Sequence, residues 1–329
     1  MIKIGLWSDA VNFPSLPLMK LSAYYKNLGC DVKLVDTDYE RFDVAFISKT
    51  FNLPGIRKIP QRPPKCYADE THAGGTGFAT TVFSGFEAYN KKLDPDLPPE
   101  IEYIYPDYGL YPYWTRDTAF GFLTRGCPNH CKFCVVSKKE GSRSVHVADL
   151  PEFWRGQANI KLMDANLLSC DNAEKLLLSL AESKSKLDFT QGLDARYLTE
   201  ETAQILGKIR IRMIHFAFDL LEDEVEIIRG LNLFMKHTGT TSCRERKVYI
   251  LTNYNTTHFE DWYRVKKVIE LGYSPDVRIY QKGTHPRFLT DLMRWANNSR
   301  LYRTCAFADY IPRKDGKRCG ELYRHILCA

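Results

Sequence analysis

Three cysteines lie close together in the segment CPNHCKFC, at Cys127, Cys131 and Cys134. Three thiolates with the spacing C-x3-C-x2-C can ligate three irons of one [4Fe–4S] cluster and leave the fourth iron open to a small chelating molecule. An ordinary ferredoxin would supply a fourth cysteine nearby, whereas the next one here is Cys170. A structural zinc site usually has two close ligand pairs, and the sequence has no second C-x2-C pair, although His130 lies inside the run. The spacing therefore predicts a redox cluster with one open coordination position.

The run resembles the cluster motif of the radical S-adenosylmethionine (SAM) enzymes, and Phe133 matches the aromatic residue usual in that family. The resemblance implies that the open iron chelates the amino and carboxylate groups of SAM. One electron then cleaves SAM to methionine and a 5′-deoxyadenosyl radical, which abstracts hydrogen from a substrate. It also implies an external one-electron reductant of the flavodoxin or ferredoxin type. A non-catalytic iron–sulfur or zinc-binding protein is the alternative from a different class.

The elements around the cysteines alternate between strand and helix patterns. The apolar segment Ala119 to Thr124 precedes the cysteines, and five further strand-like segments follow at Ile160, Leu187, Met213, Lys247 and Val277, each with a helical pattern after it. Six such βα units at residues 115–290 predict a partial (βα)6 TIM-type barrel, short of the eight units of a closed one. This is the fold that the radical SAM resemblance implies, and the predicted class is α/β.

The N-terminal residues 1–92 predict a small Rossmann-like α/β domain. A strand pattern at Lys3 to Trp7, a helical pattern at Leu16 to Leu28 and two further apolar runs suggest a parallel sheet. Residues 93–114, rich in proline and tyrosine, are predicted to be a linker. The domain resembles the cobalamin-binding domain of many SAM enzymes. Its Asp-x-His-x-x-Gly motif is absent and His72 lies outside any such pattern, which argues against cobalamin, although some relatives bind it without this histidine.

Ligands of parallel α/β folds bind at the carboxyl ends of the strands. The resemblance then implies that Asp164, with Asn166, contacts the amino group of SAM, although the family's usual glycines are missing here. Asp164 is alternatively a loop or cap residue. The segment QGLDAR resembles one found in relatives with cobalamin-type domains, and its Arg196 suits the carboxylate of SAM because a guanidinium forms bidentate pairs.

Four further residues belong to the predicted SAM pocket. Gln191 and Asp194 would face the pocket or hold Arg196 in place, with an Asp194–Arg196 surface pair as the alternative. Asp219 would accept hydrogen bonds from the ribose hydroxyls or would instead cap the next helix. Asn253 follows the fifth strand, where the family places contacts to adenine, and is alternatively a turn former.

Composition and charge bear on the expected cellular location and substrate of the protein. The chain of 329 residues has ten cysteines, no signal-peptide pattern and no stretch of 18 apolar residues, so we expect a cytoplasmic protein without a membrane span. The net charge of +6 arises in the last 54 residues, with 11 Lys and Arg against 5 Asp and Glu. This excess suits a nucleic acid or nucleotide substrate, and it equally suits a solvated surface with a small metabolite or peptide as the substrate.

Residues 291–329 form a basic extension that carries three cysteines. Cys305, Cys319 and Cys328 lack the compact pair that is typical of metal sites, so we interpret them as ordinary thiols rather than a second cluster.

Overall fold

The computed structural model describes residues 1–10, 13–35, 40–50, 67–83, 86–238, 242, 244–280, 285–313 and 316–327. Its contacts divide the chain into two compact units, Met1–Met163 and Asp164–Ala329. No helix within the described ranges is long and apolar enough to cross a membrane. Cys66, Cys243 and Cys328 lie outside these ranges. The predicted domain boundaries at 92, 114 and 290 stay predictions.

The first unit contains ten strands and five helices among its described residues. In chain order they are β1 (Lys3–Ser8), α1 (Leu16–Asn27), β2 (Asp31–Leu34), β3 (Arg41–Ser48), β4 (Tyr67–Gly74), α2 (Thr76–Ala79), β5 (Thr80–Phe83), β6 (Phe86–Tyr89), α3 (Pro99–Glu102), α4 (Pro112–Thr115), β7 (Thr118–Gly121), β8 (Thr124–Arg125), α5 (Val136–Glu140), β9 (Val145–His146) and β10 (Asn159–Leu162).

The N-terminal sheet is parallel, with the strand order β2-β1-β3-β4. Ile4 and Leu6 of β1 are fully buried and pack in one cluster with Leu18 and Met19 of α1. Burial of each such side chain contributes about 1.5–3 kcal/mol, so this apolar contact fixes α1 on the sheet. The helix ends before Gly29, whose φ of +80° is the left-handed conformation that glycine commonly adopts after a helix.

Strand β4 was not predicted from the sequence. Its residues, YADETHAG, are largely exposed because the strand forms the edge of the sheet. An edge strand with two exposed faces has no apolar alternation to reveal it. His72 of β4 stacks on Phe46 of β3, with ring centroids 5.0 Å apart, and its Nε2 lies 2.8 Å from a carboxylate oxygen of Glu70.

The segment predicted as a linker packs within the first unit. The hydroxyl of Tyr108 donates to the carbonyl of Phe153 at 2.6 Å and accepts from the backbone amide of Phe120 at 3.0 Å. The amide of Asp107 donates to the carbonyl of Met19 at 3.0 Å. Strands β7 and β10 pair in parallel in the same unit. Tyr108 therefore joins the start of the predicted barrel to the segment before it.

The second unit contains four strands and eight helices in the part that is described. They are α6 (Ala173–Glu182), β11 (Lys186–Phe189), α7 (Glu200–Leu206), β12 (Arg210–Ala217), α8 (Glu224–Thr238), β13 (Arg246–Thr252), α9 (His258–Glu270), β14 (Ser274–Ile279), α10 (Arg287–Ala296), α11 (Ser299–Thr304), α12 (Cys319–Leu322) and α13 (Arg324–Leu327).

The strands of the second unit run parallel in the order β11-β12-β13-β14, which confirms the predicted α/β class with parallel sheets. Helix α6 begins at Ala173 with Asn172 as its N-cap, and the Asn172 side chain makes no capping hydrogen bond. Helix α9 shows the contrasting case, where Thr257 and Glu260 form a full capping box.

Candidate functional site

The three cysteines of the cluster motif lie in a loop held at its base by a short antiparallel ladder. β8 leads into the loop, α5 follows it, and β9 returns to pair with β8 through Thr124 with His146. Gly126 precedes Cys127 with a φ of +92°, and a Cβ atom there would lie 2.0 Å from the carbonyl oxygen of Arg143. Only glycine can occupy this position without moving the backbone.

The donor set of the loop suits an iron–sulfur cluster by its chemistry. Cys127, Cys131 and Cys134 are each half-buried, and no cysteine of the described ranges forms a disulfide. Three partly accessible thiols within eight residues are the ligand type that such clusters use. Across the described part of the chain, no group of three or more His, Cys, Asp or Glu side chains is gathered in a geometry that could hold a metal ion. The cysteines therefore fit the cluster by the chemistry of their thiols alone. Their role as ligands stays a prediction. Phe133 lies in the same loop.

Hydrogen bonds and one ion pair hold the two ends of this loop within the first unit. The backbone amide of Gly126 donates to Glu140 at 3.3 Å. On the far side, Lys139 of α5 donates to the Thr76 hydroxyl at 2.7 Å and lies 3.3 Å from Asp94, which is 9% exposed. The loop is therefore attached to residues that follow the edge strand of the N-terminal sheet.

In the second unit, Arg196 is held by two carboxylates. Its Nε and Nη2 donate to Asp194 at 2.9 and 2.8 Å, and its Nη1 donates to Asp223 at 2.9 Å. Hydrogen bonding of the guanidinium to the Asp194 carboxylate is the main cause that raises the pKa of Arg196 above its ordinary value. Both the predicted holding role of Asp194 and the alternative of a plain Asp194–Arg196 ion pair are compatible with these contacts. The carboxylate of SAM would meet a guanidinium that already has two acidic partners.

Asn166 lies beside this pair. Asn166 is 1% exposed, and its Nδ2 lies 3.4 Å from a carboxylate oxygen of Asp194. Asp164 is 4% exposed and follows β10 in the chain. Gln191 is exposed. The structure thus brings Asn166, Asp194 and Arg196 together, and their roles toward SAM stay predictions.

Asp219 and the buried Arg264 tie the carboxyl ends of β12 and β13 together. The backbone amide of Leu251 donates to the Asp219 carboxylate at 2.9 Å. Arg264 has no exposed side-chain surface, and it donates to the carbonyls of Phe218 at 2.8 Å, Asp219 at 2.7 Å and Leu251 at 2.9 Å. Its carboxylate partner is Asp261, at 2.6 Å. Sequence inspection missed Arg264, because a single arginine in an amphipathic helix has no local signal.

Asp219 is expected to make the stability of the protein depend on pH. Burial raises the pKa of Asp219 to about 6, against the opposing effects of the Leu251 amide and the charges of Arg264 and Arg196. A carboxyl that binds protons more tightly in the folded state makes its full contribution to the free energy of unfolding below its unfolded pKa near 4. That contribution is lost as the pH rises to about 6. We expect Asp219→Asn to flatten the fall in unfolding free energy between about pH 4 and 6. Urea titrations at several pH values would measure the unfolding free energy of the unchanged chain and of Asp219→Asn. Parallel curves of free energy against pH would contradict the raised pKa of Asp219.

Asn253 occupies a strained turn directly after β13. Its φ is +65°, and its side-chain amide donates to the carbonyl of Tyr280 at 3.0 Å. Asparagine is among the few residues that adopt this left-handed conformation readily. The structure therefore places Asn253 as a turn former at a strand end, and its predicted contact to adenine stays a prediction.

One face of the second unit's sheet carries polar residues that sequence inspection did not select. His215 of β12 is 9% exposed and stacks on Tyr249 of β13, with ring centroids 4.8 Å apart. Asp276 and Arg278 of β14 pair at 2.8 Å, and Arg278 lies over the ring of Tyr249. The opposite face is apolar, with Ile214, Phe216, Val248, Ile250 and Val277 fully buried. The alternation in RMIHFA and KVYIL is the signal that could have revealed this polar face.

Comparison with known proteins gives a likeness at the level of the fold. No family model matches the sequence, and no curated protein matches it. Among solved structures, the chain resembles the radical S-adenosylmethionine methyltransferase TsrM from Kitasatospora setae, which was solved with cobalamin and a [4Fe–4S] cluster bound. The TM-score is 0.55 at 12% sequence identity, over 84% of this chain and 74% of TsrM. At this identity the likeness concerns the fold alone.

Proposed function

We propose that the protein is a radical SAM enzyme whose six βα units form the partial (βα)6 barrel of that superfamily. The observation that carries the proposal is the C-x3-C-x2-C loop, which follows the parallel strand β7 in a chain whose fold resembles that of TsrM. Position and motif agree independently, since the likeness of folds at 12% identity does not depend on the cysteine spacing.

In this proposal Cys127, Cys131 and Cys134 hold a [4Fe–4S] cluster. When bound, the cluster and SAM supply reductive cleavage of SAM and a carbon radical. The residues of the chain position and shield that chemistry. Gly126 lets the backbone before Cys127 pass close to the carbonyl of Arg143, and Lys139 attaches the end of the loop to Thr76 and Asp94.

The second unit supplies the groups proposed for SAM. Asp194 and Asp223 hold the Arg196 guanidinium in one orientation through three hydrogen bonds, and the remaining N–H donors of Arg196 are the ones proposed for the carboxylate of SAM. Asn166 and Asp164 offer polar groups of low exposure for the amino group. Asp219 keeps one carboxylate oxygen on the Leu251 amide, and its other oxygen is the proposed acceptor for the ribose hydroxyls.

Two further partners belong to the proposal. An external one-electron reductant of the flavodoxin or ferredoxin type supplies the electron, because the chemistry consumes one. Cobalamin binding is also tested, because TsrM was solved with cobalamin bound, although this chain lacks the cobalt-ligating histidine motif. A nucleic acid substrate is supported by the basic C-terminal residues alone.

The proposed function is tested by anaerobic reconstitution of the full chain with iron and sulfide, followed by dithionite and SAM. We expect 5′-deoxyadenosine to accumulate only when cluster, reductant and SAM are all present. A protein that binds iron or zinc and produces no 5′-deoxyadenosine would instead be the non-catalytic metalloprotein. Titration of the same preparation with hydroxocobalamin, followed by its visible spectrum, decides whether cobalamin binds.

A further inference from the structure

A cavity of about 620 Å³ opens in the first unit at the carboxyl ends of β3 and β4. Ile47 and Ser48 of β3 and Ala73 and Gly74 of β4 line one side of it. Carboxyl ends of parallel strands are the usual ligand-binding edge of such sheets. The volume lies in the range of about 300–1,000 Å³ that is typical of small-molecule sites.

The walls of this cavity are mainly apolar. Leu18 and Leu21 come from α1, Ile101 comes from α3, and Phe122 and Phe153 come from the segments near the cysteine loop. Leu18, Leu21, Ile101 and Phe153 are also buried in the folded chain. An apolar or aromatic body of a ligand would replace water against these side chains, which favours binding.

The charged side chains that line the cavity are Lys20, Arg125, Lys139, Asp94, Asp96, Glu102 and Glu152. Lys20, Glu102 and Arg125 lie in contact with one another. Lys20 donates to a carboxylate oxygen of Glu102 at 2.9 Å and also to the Glu102 carbonyl. Arg125 lies 3.4 Å from the same carboxylate and 3.6 Å from Glu140, with its guanidinium 4.1 Å from the ring centre of Phe122. Charge-assisted N–H···O bonds are about 2.7–2.9 Å long. Arg125 is thus held in place over Phe122 without short hydrogen bonds to its acidic neighbours.

We propose that this cavity binds a small organic acid with an apolar body, and that Arg125 pairs with its carboxylate. A guanidinium stacked on an aromatic ring keeps its fork of N–H donors in one plane, which suits bidentate contact with a carboxylate. Arg125 precedes Cys127 by two residues, so the acid would be held next to the proposed cluster loop. Its assignment as the substrate rests on the proposed function, whereas its binding does not.

Lys20 supports the same occupant. Burial lowers the pKa of Lys20, with the nearby Arg125 adding to this effect and Glu102 opposing it. Two cations thus share the Glu102 carboxylate on the cavity wall. A ligand carboxylate would add a further charged acceptor beside Glu102 and Glu140, whereas a neutral ligand brings no charge.

The test compares 3-phenylpropionate with 3-phenylpropanol, which have the same apolar body and differ in the acid group. Both are titrated calorimetrically into the reconstituted and the unreconstituted full chain, without SAM. We expect 3-phenylpropionate to bind more tightly than 3-phenylpropanol. Arg125→Met should weaken the binding of 3-phenylpropionate about tenfold or more and leave the affinity for 3-phenylpropanol unchanged. Arg155→Met is the matched control, because Arg155 lies 3.8 Å from the ring centre of Tyr105 but does not line the cavity.

A second variant tests the cavity itself. Ala148 lines it and is half-buried, so Ala148→Phe should reduce the binding of both probes without a change in the far-ultraviolet circular dichroism. Equal affinity for acid and alcohol, or no effect of Arg125→Met, would overturn the proposal. Hydroxocobalamin that displaces 3-phenylpropionate competitively would also overturn it. If the acid binds and 5′-deoxyadenosine never forms, the proposed function fails and the binding site stands.

Discussion

Cys131→Ala is expected to leave a folded protein that retains no [4Fe–4S] cluster and yields 5′-deoxyadenosine only at the level of a protein-free control. Loss of one of three thiolates removes a metal–sulfur bond that no nearby cysteine replaces, since the next one in sequence is Cys170. Iron and sulfide content after anaerobic reconstitution and gel filtration measure the first effect, and chromatography of the SAM reaction measures the second. We expect the same result for Cys127→Ala and Cys134→Ala.

Cys30→Ala is the matched control for these variants. Cys30 is half-buried in the same unit and lies far from the loop in sequence. Its variant should keep the iron content and the SAM cleavage of the unchanged chain. A Cys131→Ala protein with unchanged iron content would show that the run does not hold the metal, and the proposed function would then lose its principal support.

Arg264→Met is expected to destabilise the second unit by about 3–5 kcal/mol, because it leaves the buried Asp261 carboxylate without its cation. Asp261 and Arg264 have no exposed side-chain surface, so water cannot compensate for the loss. The variant also removes the donors to the carbonyls of Phe218, Asp219 and Leu251. Urea unfolding followed by circular dichroism would measure the change.

Lys236→Met provides the comparison for a surface ion pair. Lys236 lies 2.7 Å from Glu200, and the Lys236 side chain is 62% exposed. We therefore expect Lys236→Met to lower the free energy of unfolding by less than about 1 kcal/mol. The double variant Arg264→Met with Asp261→Asn should be less unstable than Arg264→Met alone, since it removes the orphaned charge. If Arg264→Met and Lys236→Met lowered the free energy of unfolding equally, the stabilising role of the buried Asp261–Arg264 pair would be contradicted.

The helices and strands of the second unit were largely predictable from the sequence. Apolar periodicity predicted a helix at Arg287 to Ala296, which is α10, and a strand at Lys247 to Leu251, which lies inside β13. Such elements are visible because their buried faces repeat locally, every two residues in strands and about every 3.6 in helices. The polar edge strand β4 had no such repeat and was missed.

The candidate site was predictable in its residue types and less so in its contacts. The prediction that Asp194 holds Arg196 concerned residues two positions apart, where a side chain can reach its neighbour in any local turn. Arg264 and Asp219 are 45 positions apart, and Arg125 and Glu102 are 23 apart. No local pattern relates such pairs.

By itself the sequence determined the chemistry that this protein can offer, because three thiols at C-x3-C-x2-C spacing and polar residues after strands are properties of adjacent positions. Only the tertiary structure decided which charged side chains lie together and at what distance. Arg196 came to lie between Asp194 and Asp223, whereas Arg125 came to lie over Phe122 with only long contacts to acids. The physical reason is that charge pairing depends on distances of a few ångströms, and folding sets those distances between residues far apart in the chain.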